Sequence, residues 1–198
     1  MPSTPTPTPT VPTPSFLGNA IEICIVTPDY KATVNGLLAL GIGPWRVYTF
    51  SPENTTEQMY RGKPAAFSLK VCFADLGRGM TYEVITPLSG PSIFADWLTL
   101  HNNVPGIHHI AYDMHNLPWT QRIQAFTDRG FSVSQSGNFG PGNRFAFFET
   151  EGSTGTCFET YEFGEGWVQP EPEEWVPARE GEGGEEVRGG LGDGDGCG

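Results

Sequence analysis

Four polar residues stand out because each interrupts an apolar, strand-like run: Glu22 in AIEICIV, Glu83 in TYEVI, His109 in GIHHIAYD and Glu159 in CFETY. A carboxylate buried in such a run is costly unless it is paired or coordinates a cation. Three of them gathered in one cavity repel one another and are driven to take up protons. A divalent ion removes the conflict, since three glutamates and a neutral imidazole around it leave a single net negative charge. An oxygen-rich set with one imidazole suits a divalent metal ion such as Mg, Mn, Co, Ni, Fe or Zn. Taken singly, each glutamate would serve as well as the partner of a base, with Arg46, Lys70 and Arg144 available, and His109 would pack as a core histidine. The four positions together favour the metal. His108 is expected on the opposite face of its strand, packing beneath the sheet.

The elements that must position these residues follow from periodicity. Ala20–Val26 alternates isoleucines with Glu22, Cys24 and Val26, a strand with one wholly apolar face. Thr27-Pro28-Asp29 starts a helix over 30–40, with Val34, Leu37 and Leu38 at helical spacing and Gly41 as its stop. Strands over 45–50, 66–74 and 80–86 complete the first half, and 91–101 reads as a short connecting helix. The same order then repeats: a strand over 106–113, a helix over 118–129 closed by Gly130, and strands over 131–135, 144–149 and 156–162. The Gly-rich NFGPGN between two of these strands lacks a phosphate-binding lysine and reads as a hairpin. Each half is strand, helix, strand, strand, strand.

Aligned on their first strands, the halves place Glu22 on His109, 87 positions apart; aligned on their last strands, they place Glu83 on Glu159, 76 apart. The first half is therefore longer by 11 residues, and the polar run Ser51–Lys63 is the natural place for the surplus. The fold expected is α+β: two paired βαβββ modules forming a cupped, eight-stranded mixed sheet around one cavity. Trp45, Tyr48, Phe50, Phe67, Phe145, Phe147 and Phe148 supply its core, or in part the walls of an apolar pocket.

Composition bounds the rest. Residues 1–15 alternate Pro with Thr or Ser and read as a disordered end. The first module with its connector helix spans 16–105 and the second 106–165. An acidic Gly/Glu-rich tail over 166–198 reads as a disordered spacer, with Trp167 and Trp175 as the side chains able to dock on the body. From Gly164 onward lie ten of the 23 acids and two of the 11 bases, a net of −8 out of −12. The pI near 4.6 thus describes mostly the tail. No basic patch suits a nucleic acid, no apolar run suits a membrane span, and no secretory signal opens the chain. Four scattered cysteines without a CxxC pair fit a reducing, cytoplasmic setting.

GIHHIAYD and the YEVITPLSGPS run resemble methylmalonyl-CoA epimerases and related proteins of the vicinal oxygen chelate (glyoxalase/bleomycin resistance/dioxygenase) superfamily. The resemblance covers about Ala20 to Phe163. It implies that each module gives two ligands, from its first and last strands, to a metal in a cupped sheet. His109, Glu159 and Glu83 match the family's ligand positions, whereas Glu22 stands where these epimerases carry His and the glyoxalases His or Gln. That departs from both named activities, and from the two-His, one-carboxylate iron of a ring-cleaving dioxygenase.

The activity expected is that of a metal-dependent isomerase, epimerase or lyase acting on a carbonyl-containing small molecule by enolate stabilisation. The resemblance makes Glu159 the proton-transferring base; Glu57 and Tyr60, in the surplus loop, are the alternative acid–base groups. A metal-free protein that sequesters small molecules and a ring-cleaving dioxygenase are the competing readings. Relatives that pair modules between chains suggest a homodimer, although one chain's two modules suffice.

Overall fold

The computed structural model describes residues 15–179. Its eleven strands form one curled, open, mixed sheet in the order β11-β2-β5-β6-β1-β7-β10-β9-β8-β3-β4. In chain order the elements begin with β1 (Ala20–Val26), α1 (Tyr30–Ala39), β2 (Trp45–Phe50), β3 (Thr55–Tyr60) and β4 (Lys63–Pro64). Then come β5 (Ser68–Asp75), β6 (Thr81–Ser89), α2 (Ile93–Leu100) and β7 (Gly106–Tyr112). The remainder is α3 (Trp119–Thr127), β8 (Val133–Phe139), β9 (Asn143–Phe148), α4 (Glu151–Thr154), β10 (Cys157–Phe163) and β11 (Glu174–Val176). No helix among the described residues is long and apolar enough to cross a membrane.

The two modules occupy the two halves of this order, β2-β5-β6-β1 and β7-β10-β9-β8. Each opens with a strand that pairs in parallel with its own last strand, β1 with β6 and β7 with β10. The modules join where β1 runs antiparallel to β7. The helix of each module ends alike: Ile42 N–H donates to Leu37 C=O past Gly41, and Phe131 N–H to Phe126 C=O past Gly130. Both glycines have positive φ, the left-handed turn that such an ending needs. At its start, α1 is capped by Asp29, whose carboxylate accepts from Ala32 N–H at 3.1 Å.

Alternation sorts the side chains between two faces. Trp45, Val47, Cys72, Ala74 and Val84 pack with Val34 of α1 on the convex side. Ala146 and Phe148 pack with Phe126 of α3 in the equivalent place. The concave side holds the larger cluster, including Tyr48, Phe50, Val71, Phe139, Phe145 and Phe147. Phe50 on β2 and Phe139 on β8 lie far apart in the sheet order, yet their rings stack at 3.8 Å. The sheet therefore curls until its two flanks meet, enclosing the concave face.

Three strands exceed the expected eight, and each has an identifiable origin. Ser51–Lys63 is not a loop: it forms the β3–β4 hairpin, which extends the edge of the second module at β8. Buried Gln58 fastens it, accepting from Phe67 N–H at 2.8 Å and donating to Phe67 C=O at 3.0 Å. The third is β11, which pairs with β2 and corrects the reading of 166–179 as spacer. Its docking rests on Trp167, stacked on Phe163, and on Glu173, paired with Lys70 at 2.7 Å. The disorder expected for residues 1–14 and 180–198 lies outside the described residues.

Because this strap seals an apolar surface, ending the chain after Gly164 should lower Tm. A loss of about 2 kcal/mol corresponds to roughly 4–8 °C in a protein of this size. Calorimetry of full-length and truncated protein checks it, and an unchanged Tm would contradict the docking.

Candidate metal centre

The register of the central strands brings the four polar residues together. Cys24 of β1 faces Glu83 of β6 on one side and His109 of β7 on the other. Ala111 of β7 likewise faces Glu22 of β1 and Glu159 of β10. Under the two-fold relation between modules Cys24 maps onto Ala111, Glu22 onto His109 and Glu83 onto Glu159. Two small, fully buried residues thus stand between two pairs of polar ones. A large side chain at either position would fill the space they leave. One chain supplies the whole set.

All four are buried: Glu22 is 3% exposed, Glu83 6%, His109 0% and Glu159 4%. One potential ligand atom from each lies within 4.8 Å of all the others. His109 Nε2 is 3.0 Å from Glu83 Oε2 and 3.1 Å from Glu159 Oε2. Neither approach is aligned as a hydrogen bond, and all three atoms lack such a partner. Buried polar atoms that crowd together without bonding are expected around a cation and costly elsewhere. Among the described residues no Lys or Arg pairs with these glutamates: Lys70 pairs with Glu173, Arg46 bonds the neutral amide of Gln169, and Arg144 is exposed.

The electrostatics show the same tension. Burial, then the charges of Glu83 and Glu159, push Glu22 well above the ordinary carboxylate range. Burial also raises Glu159, with His109 opposing. Burial disfavours charge on His109, but Glu159 and Glu83 outweigh it and lift the imidazole to about 9. An entering ion would take the place of those protons. Cys24 belongs to this cluster in space as well, with its thiol pushed well up by burial and by Glu83.

His108 is not on the opposite face. The ladder skips it, with Cys24 facing His109 and Ile25 facing Ile107, so His108 is the extra residue of a bulge. Its Nδ1 lies 3.0 Å from Nδ1 of His109, and Phe94 of α2 packs against both rings. Burial and neighbouring His109 hold His108 well below the ordinary histidine range. A neutral His108 that accepts from His109 Nδ1–H leaves the His109 Nε2 lone pair aimed at the carboxylates. The His-His doublet is the sequence signal for this contact; the bulge that creates it has none.

A cavity of about 230 Å³ opens over the glutamates. Glu22, Glu83 and Glu159 line it, as do Tyr48, Phe50, Phe145 and Phe147, whereas Trp45, Phe67 and Phe148 stay in the core. Tyr161, two residues beyond Glu159, also lines it, and burial raises its phenol so that it stays protonated. Trp167 and Gln169 of the strap also line it, within the acidic run that composition alone marks as spacer. The loop candidates are elsewhere. Glu57 sits at a β3 bulge with φ 51°, exposed and accepting from Asn138 at 2.8 Å. Tyr60 donates its hydroxyl to Asp96 at 2.6 Å. Neither lines the cavity.

The sequence model of the Glyoxalase/Bleomycin resistance protein/Dioxygenase superfamily matches residues 22–147, more than half of the chain. The chain belongs to that superfamily. Its fold is shared with a hypothetical protein, BH1468, from Bacillus halodurans C-125, at TM-score 0.53 and 19% identity, covering 76% of this chain and 98% of that one. It is shared also with a Streptomyces coelicolor methylmalonyl-CoA epimerase variant in complex with 2-nitronate-propionyl-CoA, at TM-score 0.50 and 18% identity, covering 77% and 99%. No curated protein matches the chain. For this member of the superfamily, the carboxylate-rich floor predicts a specific response. Adding Zn²⁺ or Mn²⁺ at about 100 times Kd should raise Tm by roughly 5–10 °C. His109→Ala and Glu83→Ala should abolish the shift and Cys24→Ala should keep it; a shift surviving in His109→Ala would contradict the ligand set.

Proposed function

We propose that the protein is a metal-dependent isomerase, epimerase or lyase that moves a proton next to a carbonyl in a small molecule. The observation carrying this reading is the crowding of Glu83 Oε2, Glu159 Oε2 and His109 Nε2, buried and without an aligned hydrogen bond, beside an apolar cavity that the two glutamates line. Glu22, Glu83, His109 and Glu159 would hold a divalent ion. Such an ion supplies positive charge beside the substrate's oxygens and makes the adjacent C–H more acidic.

The chain's own residues supply the remaining steps. Glu159 accepts the proton: the family resemblance gives the closing strand's carboxylate this role, and the loop candidates Glu57 and Tyr60 lie off the cavity. Delivery of a proton to the opposite face by a second donor gives epimerisation; return of Glu159's proton to another atom gives isomerisation, and departure of a group gives elimination. Tyr161, protonated on the cavity wall, can donate a hydrogen bond to a substrate oxygen. The aromatic walls exclude water and hold the apolar part of the substrate.

Exchange of a substrate's α-proton with deuterated solvent, followed by NMR, tests the reading. Glu159→Gln should retain part of the metal and slow exchange by roughly 100-fold or more, the range of a lost general base. Glu57→Gln should change neither. Tight ligand binding by the wild type with neither metal nor exchange would favour a sequestering protein instead.

A further inference from the structure

The cavity that the glutamates line also takes in a base, Arg46, two strands across the sheet from Glu83. Among the described residues Arg46 is the only cationic side chain lining the cavity. Among the described residues Arg46 has no carboxylate partner, and its one hydrogen bond is from Nη1 to Gln169 Oε1, at 3.2 Å. Gln169 is itself fixed, donating from Nε2 to the Tyr48 hydroxyl at 3.0 Å, and that hydroxyl donates to Pro170 C=O at 3.2 Å. Most of the five guanidinium N–H groups are left without a protein acceptor. The strap thus steadies the guanidinium while leaving its charge unmatched.

Register gives the separation. Arg46 faces Phe73 across β2 and β5, and Phe73 faces Glu83 across β5 and β6, so the three share one row on the concave face. Two strand spacings of about 4.8 Å put the backbones of Arg46 and Glu83 on the order of 10 Å apart. Phe73 lies between them and lines the same cavity. An apolar cavity of about 150 Å³ accommodates benzene. A cavity of about 230 Å³ suits one ring with a short chain.

We propose that the substrate is a ring-sized, largely apolar molecule with metal-binding oxygens at one end and a carboxylate at the other, and that Arg46 binds the carboxylate. This rests on the metal-centre reading for the oxygen end only. Arg46 and the planar amide of Gln169 form the specificity element. A guanidinium matches a carboxylate in charge and in its two-pronged geometry.

Two probes separate the ends: a catechol bearing a propanoate chain, and the same catechol bearing an uncharged propyl chain. Their affinities are measured by calorimetry on Zn²⁺-loaded and on chelator-stripped full-length protein. Loaded wild type should bind the propanoate probe at least tenfold more tightly than the propyl probe. Arg46→Gln should remove that preference and leave propyl affinity and Zn²⁺ uptake unchanged; Arg46→Lys should restore part of it. Equal binding of both probes by loaded wild type, or a preference surviving in Arg46→Gln, overturns the assignment and leaves the metal centre standing. If Zn²⁺ does not load, the metal reading fails separately. The stripped protein then decides for Arg46, by whether Arg46→Gln lowers the propanoate-to-propyl affinity ratio.

Discussion

Three carboxylates held inside a sheet are the constraint on which the rest of this structure depends. Each would be stable in water and is expensive where it lies. The fold holds them in place by enclosure: eight strands from two related modules curl until Phe50 and Phe139 stack across the cup. The two-fold relation places Cys24 and Ala111, both small, between the polar pairs, and this keeps the space between them open. A bulge at His108 brings a second imidazole against the first, and Phe94 of the connector holds both. None of these features neutralises the acids. They concentrate an unmet demand for positive charge at one point.

Much of this was legible in the sequence because burial leaves a periodic trace. The strands β1 and β2 and the start of α1 fall where alternation and the Asp29 cap put them. The repeat of strand order places Glu22, Glu83, His109 and Glu159 at equivalent positions, and the register of the central strands brings them together. What periodicity could not show was non-local pairing. Thr55–Tyr60 is polar and reads as a loop, since it becomes a strand only by adding to β8, some 80 residues away. At its bulge Glu57 lies exposed and accepts from Asn138, off the cavity lining. In the same way β11 lies in a run of Glu and Pro, and only the exposed edge of β2 makes it a strand.

The strap changes how the cavity is to be understood. Without it, the concave face would be an open trough of aromatic rings over acids. With it, Trp167 and Gln169 join the lining, and Glu173 ties the segment to Lys70 and Thr49. Two tryptophans within an otherwise hydrophilic run were the signal for docking, and they act differently. Trp167 stacks on Phe163 at the cavity, while Trp175 lies in β11 beneath the guanidinium of Arg179. The chain's acidity, concentrated from Gly164 onward, is thus partly spent on holding the mouth of the site.

A metal centre and a proton-sharing acid cluster differ in what occupies the space between these four side chains. The direct measurement is anomalous diffraction from crystals of protein purified without chelator, with data collected at the absorption edges of the first-row metals. The account predicts one anomalous peak per chain, about 2.0–2.2 Å from His109 Nε2 and from carboxylate oxygens of Glu22, Glu83 and Glu159. Absence of a peak even after soaking in Zn²⁺ or Mn²⁺, with His109 Nε2 in aligned hydrogen bonds to Glu83 and Glu159, would contradict it.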